Sequence, residues 1–111
     1  MESMPLEVEV VSKGGSAEVL VRGELDLAGA PELDAALASA DGARVGDLVL
    51  DLTGVTFIDS SGIRCVLDAY HRSRARGVDM RIIPGLEAGI VFQLAGLSGR
   101  LPFVTGPDRV T

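Results

Sequence analysis

The sequence predicts a single α/β domain over residues 1–111, with a mixed, mostly parallel sheet of four to five strands flanked by helices. A length of 111 residues suits one small domain with one core. From residue 31 onward, segments of helical periodicity alternate with short apolar runs, which favours parallel strands joined by right-handed crossovers. Two strands precede the first helix and are separated by Gly14-Gly15, which indicates an antiparallel hairpin. The predicted order is therefore β-β-α-β-α-β-α-β.

The predicted strands differ in their apolar patterns. Residues 6–11 alternate apolar and acidic side chains, as is typical of a half-exposed strand. Residues 48–52 are nearly all apolar, which is typical of a strand covered on both faces. A short loop is expected to follow and to lead into the next helix. The predicted strands are residues 6–11, 17–22, 47–52 and 80–83, with a further candidate at 101–104.

Three helices are predicted from apolar spacing and from residues typical of helix ends. Pro31 suits the first position of a helix, where its missing N–H is no loss. Gly77 follows an arginine-rich last turn and is typical of a C-terminal cap. In the last helix, Ile90, Val91 and Leu94 are expected on the inner side. The predicted helices are residues 31–40, 61–76 and 86–95.

Charge and cysteine content narrow the classes of function. Sixteen acidic and ten basic residues give a net charge of -6, which disfavours direct binding to nucleic acid and gives no attraction to anionic membranes. The single cysteine, Cys65, excludes an internal disulfide and fits a reducing compartment. No signal peptide and no apolar stretch of about 18 residues is present. A cytoplasmic protein without a membrane partner is expected.

No catalytic or metal-binding residue is predicted. His71 lies ten residues beyond Ser61 on one predicted helix, about 15 Å along its axis, and so cannot activate either serine. Lys13 is the only lysine, and no phosphate-binding glycine loop accompanies it. Asp51 is interpreted as a polar strand residue that bonds to the backbone, and Asp26 as a turn or cap residue. Cys65 is interpreted as a small packed side chain.

The carboxyl ends of the parallel strands should carry the functional site. Three segments are expected to lie near one another there: Gly23-Glu24-Leu25-Asp26, Asp59-Ser60-Ser61 and Pro84-Gly85.

The residues allow two interpretations of the two serines. A serine or an aspartate at this junction can cap the helix, for about 1 kcal/mol. A serine can also accept a phosphoryl group, with adjacent serines sharing the two roles, and the small Gly62 would then let a partner's active site approach.

These motifs resemble a known family. Together they are similar to the STAS domain family, and in particular to the single-domain anti-sigma factor antagonists of bacteria. The resemblance covers almost the whole chain and rests on Gly23-Glu24-Leu25-Asp26, Leu48-Val49-Leu50-Asp51-Leu52, Val55-Thr56-Phe57-Ile58-Asp59-Ser60-Ser61-Gly62-Ile63 and Phe92-Gln93-Leu94-Ala95-Gly96-Leu97.

The resemblance implies a phosphorylation switch at Ser60. An anti-sigma factor serine kinase would bind the unphosphorylated protein and phosphorylate Ser60. The phosphorylated protein would then release that kinase. A serine phosphatase would return the protein to its unphosphorylated form. ATP and Mg²⁺ would belong to the kinase, so this chain needs no cofactor, and it is expected to be a monomer or a weak dimer. The predicted partner-binding residues are Gly23, Glu24, Asp26, Asp59, Ser60, Ser61, Gly62 and Arg64.

The alternative is a constitutive adaptor or scaffold, as in stressosome-like or lipid-transport accessory members of the family. In that case Ser60 only caps the helix, and its replacement by alanine costs about 1 kcal/mol of stability. The intact Asp59-Ser60-Ser61-Gly62 motif favours the antagonist.

Overall fold

The fold is a four-stranded mixed sheet with three helices, within residues 4–42 and 45–104, the part of the chain that the computed structural model describes. The strand order is β1-β2-β3-β4. β1 is antiparallel to β2, and β3 is parallel to both β2 and β4. The predicted fold class and order of elements are therefore confirmed. The elements are β1 (Glu7–Lys13), β2 (Ser16–Leu25), α1 (Ala30–Gly42), β3 (Asp47–Ile58), α2 (Ser60–Ala75), β4 (Asp79–Ile83) and α3 (Gly85–Leu94).

The candidate fifth strand is reduced to a single parallel bridge. Phe103 pairs with Ile82 of β4. The backbone N–H of Ile82 donates to Pro102 O at 2.9 Å, and that of Val104 donates to Ile82 O at 2.8 Å. Pro102 has no N–H to donate, which limits how far this ladder can extend.

β3 is twice as long as predicted, because the expected loop after Leu52 continues the strand to Ile58. The reason is pairing with β2, which itself extends to Leu25. Leu25 lies opposite Ile58, and the pairing shifts register twice, between Asp51 and Gly54 and between Val55 and Phe57. The long β2–β3 ladder carries the segments after both strands to the same edge of the sheet.

β4 pairs only with the first part of β3, up to the pair of Asp51 with Ile83. Pro84-Gly85 therefore lies beside Thr53, and a Cβ on Gly85 would come within 2.6 Å of the Thr53 Cα. The prediction that this segment joins the Asp59-Ser60-Ser61 segment is wrong, because β3 runs seven residues past its last pair with β4.

The core lies between the sheet and its helices. α1 packs against α2, β1 and β2, while α2 contacts β3 and β4, and α3 packs on β3. Leu33, Leu37 and Ala40 of α1 are buried, as the helical spacing predicts. In the described part of the chain, no helix combines the length and apolar character needed to cross a bilayer.

The buried side of α3 differs from the prediction. Ala88 and Phe92 are buried and Val91 is half-buried, whereas Ile90 is 48% and Leu94 82% exposed. The helix is apolar on most sides, so periodicity alone could not select its inner face. The ring of Phe92 packs against that of Phe103, which lies beyond the helix, and this contact turns Phe92 inward.

The buried side of α2 is formed mainly by small residues. The apolar spacing of α2 predicts an inner stripe of Ile63, Val66, Leu67 and Tyr70. Of these, only Val66 is fully buried and the others are half-buried. Small side chains let α2 approach its neighbours closely. The buried residues of α2 are Gly62, Cys65, Val66, Ala69 and Ser73.

Asp51 is a buried polar residue within β3. Its Oδ1 accepts hydrogen bonds from Thr53 N at 2.9 Å and Thr53 Oγ1 at 2.7 Å. This confirms its interpretation as a strand residue that bonds to the backbone, and it lies far from the sheet edge that carries the serines.

Candidate functional site

The structure brings two of the predicted site segments together at one edge of the sheet. Asp26 follows β2 and Asp59 follows β3, and the last residues of these strands are paired. The backbone N–H of Asp59 donates to Leu25 O at 3.3 Å, which ties the two segments directly. α2 begins at this edge, so its first residues lie next to the carboxyl ends of β2 and β3.

Asp59 is the N-cap of α2. Its Oδ1 accepts hydrogen bonds from Ser61 N at 2.9 Å and Gly62 N at 3.2 Å, and its own backbone is extended. A carboxylate is a strong cap because it is both a charged acceptor and favoured by the positive end of the helix dipole. Of the two residue types expected as the cap, the aspartate is correct and the serine is wrong, since Asp59 already accepts from the N–H groups that a serine cap would bind.

Ser60 is the first residue of α2 and is exposed. Its hydroxyl makes no hydrogen bond to any residue in the described ranges. The side chain lies on the rim of two shallow grooves. One groove, of about 410 Å³, lies between α1 and α2. The other, of about 350 Å³, runs along α2 and is lined by residues of that helix. Ser61 is half-buried and lines the first groove only. Ser60 is thus the more accessible of the two hydroxyls.

Two of the predicted partner-binding residues are buried glycines. A Cβ on Gly62 would come within 2.6 Å of Leu25 O, so this glycine lets α2 begin directly against the end of β2. Gly23 has a φ of 97°, and the backbone of Pro5 occupies the place of its side chain. Gly62 therefore serves internal packing, and the expectation that it opens an approach for a partner is wrong.

Glu24 and Asp26 face a different part of the surface from the serines. The N–H of Glu24 donates to Met4 O at 3.0 Å. The Oδ1 of Asp26 accepts from Gly29 N at 3.0 Å, which makes Asp26 a turn residue leading into α1. Both line a cleft beside Pro5, whereas Ser60 lines the grooves along α2. The predicted surface is therefore divided into two neighbouring parts.

The groove between α1 and α2 contains residues that the sequence did not indicate. Asp34 of α1 and Asp68 of α2 line it together with the exposed Leu27. Arg64 is exposed and lines both grooves beside Ser60. Asp34 carried no sequence signal, because only the packing of α1 on α2 brings it there.

Cys65 lies at the base of this groove and is a packed thiol, as predicted. The side chain is 3% exposed, and its Sγ donates to Asp34 Oδ1 at 3.1 Å. Burial raises the pKa of the Cys65 thiol to about 12, and the hydrogen bond to Asp34 and its negative charge add to the effect. At neutral pH the sulfur therefore stays protonated, and a buried, protonated thiol is a poor nucleophile.

Within residues 4–42 and 45–104, no group of three or more His, Cys, Asp or Glu side chains is placed to hold a metal ion. His71 is exposed and lies against the Tyr70 ring, with ring centroids 5.6 Å apart.

The fold and this edge identify the class of domain. The chain belongs to the STAS domain family, because a family model described as "Mlab, STAS domain" matches residues 8–102. The predicted family is confirmed.

Solved structures agree with this assignment. An anti-sigma factor antagonist from Mycobacterium paratuberculosis is 25% identical with a TM-score of 0.83, over 94% of this chain and 89% of that chain. The anti-sigma factor antagonist SpoIIAA in its unphosphorylated form is 20% identical with a TM-score of 0.75, over 94% and 93%. The murine anion transporter Slc26a9 is 15% identical with a TM-score of 0.68, over 93% of this chain but 21% of the transporter. The last two likenesses show the fold alone.

Replacement of the cap should affect stability more than replacement of Ser60. We expect Asp59→Ala to lower the free energy of unfolding by about 1 kcal/mol, because two N–H groups lose their acceptor. Ser60→Ala should change it by less than about 0.5 kcal/mol, because its hydroxyl holds no cap bond. Urea unfolding followed by circular dichroism measures both variants. An equal loss in the two would contradict the assignment of Asp59 as the cap.

Proposed function

We propose that this protein is an anti-sigma factor antagonist controlled by phosphorylation of Ser60. Unphosphorylated, it binds an anti-sigma factor that is itself a serine kinase, and so regulates sigma-factor-dependent transcription. Membership of the STAS family and the likeness to the mycobacterial antagonist support this role. The observation that carries the proposal is the exposed Ser60 hydroxyl at the start of α2, left free because Asp59 caps the helix.

The local charges favour a switch by repulsion. A phosphate adds about -1.5 to -2 charges at neutral pH. Ser60 follows Asp59 directly and shares a groove with Asp34 and Asp68, so the added charge falls on an acidic surface. A partner packed against this surface loses affinity through like-charge repulsion and through the cost of desolvating the phosphate. Release then needs no change of fold.

The chemistry of the transfer belongs to the kinase. The Oγ of Ser60 attacks the γ-phosphorus of ATP, the bond to ADP breaks, and the hydroxyl proton passes to a base of the kinase. A serine phosphatase later hydrolyses the phosphoester. This chain supplies the acceptor and the docking surface, with no catalytic residue, metal or cofactor of its own. In this proposal it acts as a cytoplasmic single domain, a monomer or weak dimer, without direct contact to nucleic acid or membrane.

In this proposal the docking surface consists of the accessible members of the predicted set. Ser60, Ser61 and Arg64 border the grooves along α2, with Glu24 and Asp26 on the adjacent cleft. Asp59, Gly62 and Gly23 act by holding these side chains in place.

The proposal is tested by phosphorylation and binding together. The protein is incubated with ATP, Mg²⁺ and each serine-kinase anti-sigma factor encoded in the same genome, and the modified residue is located by mass spectrometry. We expect one phosphate on Ser60 in the wild type and in Ser61→Ala, and none in Ser60→Ala. Titration calorimetry should show that phosphorylation weakens binding to the kinase at least about tenfold, or about 1.4 kcal/mol.

Ser61→Ala is the matched control, because it removes the neighbouring hydroxyl and keeps the backbone N–H that Asp59 caps. A phosphate that persists in Ser60→Ala would refute the assignment of the site. Equal affinity of both forms would instead identify a constitutive adaptor.

A further inference from the structure

The backbone N–H groups of residues 61–63, at the start of α2, are already engaged. Asp59 accepts hydrogen bonds from the N–H groups of Ser61 and Gly62 through its carboxylate, and from Ile63 through its carbonyl oxygen. These donors would otherwise receive an anion at a helix start. Because these three N–H groups are occupied, side chains are the main source of counter-charge for a phosphate on Ser60.

The side chains around Ser60 are mostly acidic or apolar. In the two grooves that Ser60 borders, the charged carboxylates are Asp34 and Asp68. Among the residues that line these grooves in the described part of the chain, Arg64 is the one arginine or lysine. Arg64 and Ser60 line both grooves together.

Arg64 is positioned to reach a group on Ser60. It lies four residues further along α2, and residues at this spacing occupy the same face of a helix with Cβ atoms about 5–6 Å apart. Helical side chains also lean towards the N-terminus, which directs the guanidinium back to Ser60. Arg64 is exposed, and it forms no ion pair within residues 4–42 and 45–104. Its guanidinium is thus uncommitted before modification.

We propose that Arg64 is a built-in counter-ion for phosphoserine at position 60. Its guanidinium donates two N–H groups to phosphate oxygens across one turn of α2. The inference rests on the proposed function for the presence of the phosphate. It adds that the partner surface changes in two ways on modification, because a dianion appears and the Arg64 guanidinium is no longer free to bind a partner.

The test measures the phosphate itself. Phosphoserine is installed at position 60 by suppression of a stop codon, so no kinase is needed, and the phosphate is titrated by ³¹P NMR. Because an arginine contact stabilises the dianion, it lowers the second pKa of the phosphate from its ordinary value of about 6. We expect Arg64→Ala to raise this pKa by about 0.3, and Arg64→Lys to give an intermediate value.

Arg76→Ala is the charge-matched control. Arg76 follows the last residue of α2 and is exposed, about 24 Å along the axis from Ser60 and well beyond the screening length of about 8 Å in physiological salt. It should leave the phosphate pKa unchanged. The Arg64 Nε–H resonance should also shift on phosphorylation of the wild-type protein.

An identical phosphate pKa in Arg64→Ala and Arg76→Ala, with an unshifted Arg64 resonance, would overturn the inference. Because the phosphate is installed without a kinase, this outcome is separate from a failure of the kinase to modify Ser60, which would refute the proposed function instead.

Discussion

Replacing Phe92 with alanine should lower the free energy of unfolding by about 3–5 kcal/mol, the usual cost of a large cavity in a core. The Phe92 side chain is 1% exposed and is among the largest fully buried side chains. Its ring lies 5.2 Å from that of Phe103, with the planes tilted at 54°, a favourable arrangement for aromatic pairs. The substitution removes both this contact and the link between α3 and the bridge beside β4.

Phe57→Ala is the control for the loss of a phenyl ring. Phe57 is 50% exposed at the end of β3, so its removal should cost less than about 1 kcal/mol. Guanidinium unfolding followed by far-ultraviolet circular dichroism gives both values, since the chain has no tryptophan. A cost for Phe92→Ala no greater than that for Phe57→Ala would show that α3 does not pack on the core as described.

The order of elements was predictable because each carried its own local signal. The hairpin of β1 and β2 followed from the paired glycines of the turn, and the parallel strands from the helices between them. The length of β3 carried no such signal. Thr53-Gly54 is typical of a turn, and only pairing with β2 across the register shifts keeps this segment extended. Long-range pairing overrode local preference there.

In the candidate site, too, local sequence predicted some features and long-range contacts decided the others. The motif placed Ser60 at a helix start, but the choice between Ser60 and Asp59 as cap depends on the backbone conformation before the helix. The contact between Asp34 and Cys65 joins residues 31 apart in the sequence, so no local pattern could indicate it. Sequence motifs located the edge of the sheet, and tertiary packing decided which side chains share it.

Gly62 should not tolerate a side chain, in contrast to a second glycine in a helix. A Cβ on Gly62 would come within 2.6 Å of Leu25 O, 2.7 Å of Ile58 Cγ1 and 2.8 Å of Leu25 Cγ. On Gly89, in α3, it would meet only Pro84 at 3.7 Å, an ordinary contact. Alanine gains up to about 1 kcal/mol over glycine in a helix at either position. The difference between the two variants therefore isolates the cost of overpacking at Gly62.

We expect Gly89→Ala to raise the free energy of unfolding and Gly62→Ala to lower it, with a difference of about 3 kcal/mol. The upper end of the usual overpacking cost applies because the obstacle includes a backbone carbonyl, which cannot rotate away as a side chain could. Urea unfolding of both variants measures the difference. In Gly62→Ala the start of α2 must also move from β2, so affinity for the proposed kinase partner should weaken while Gly89→Ala keeps it. Equal stabilities would mean that α2 does not begin against the end of β2, and Ser60 would lose the rigid support on which its presentation depends.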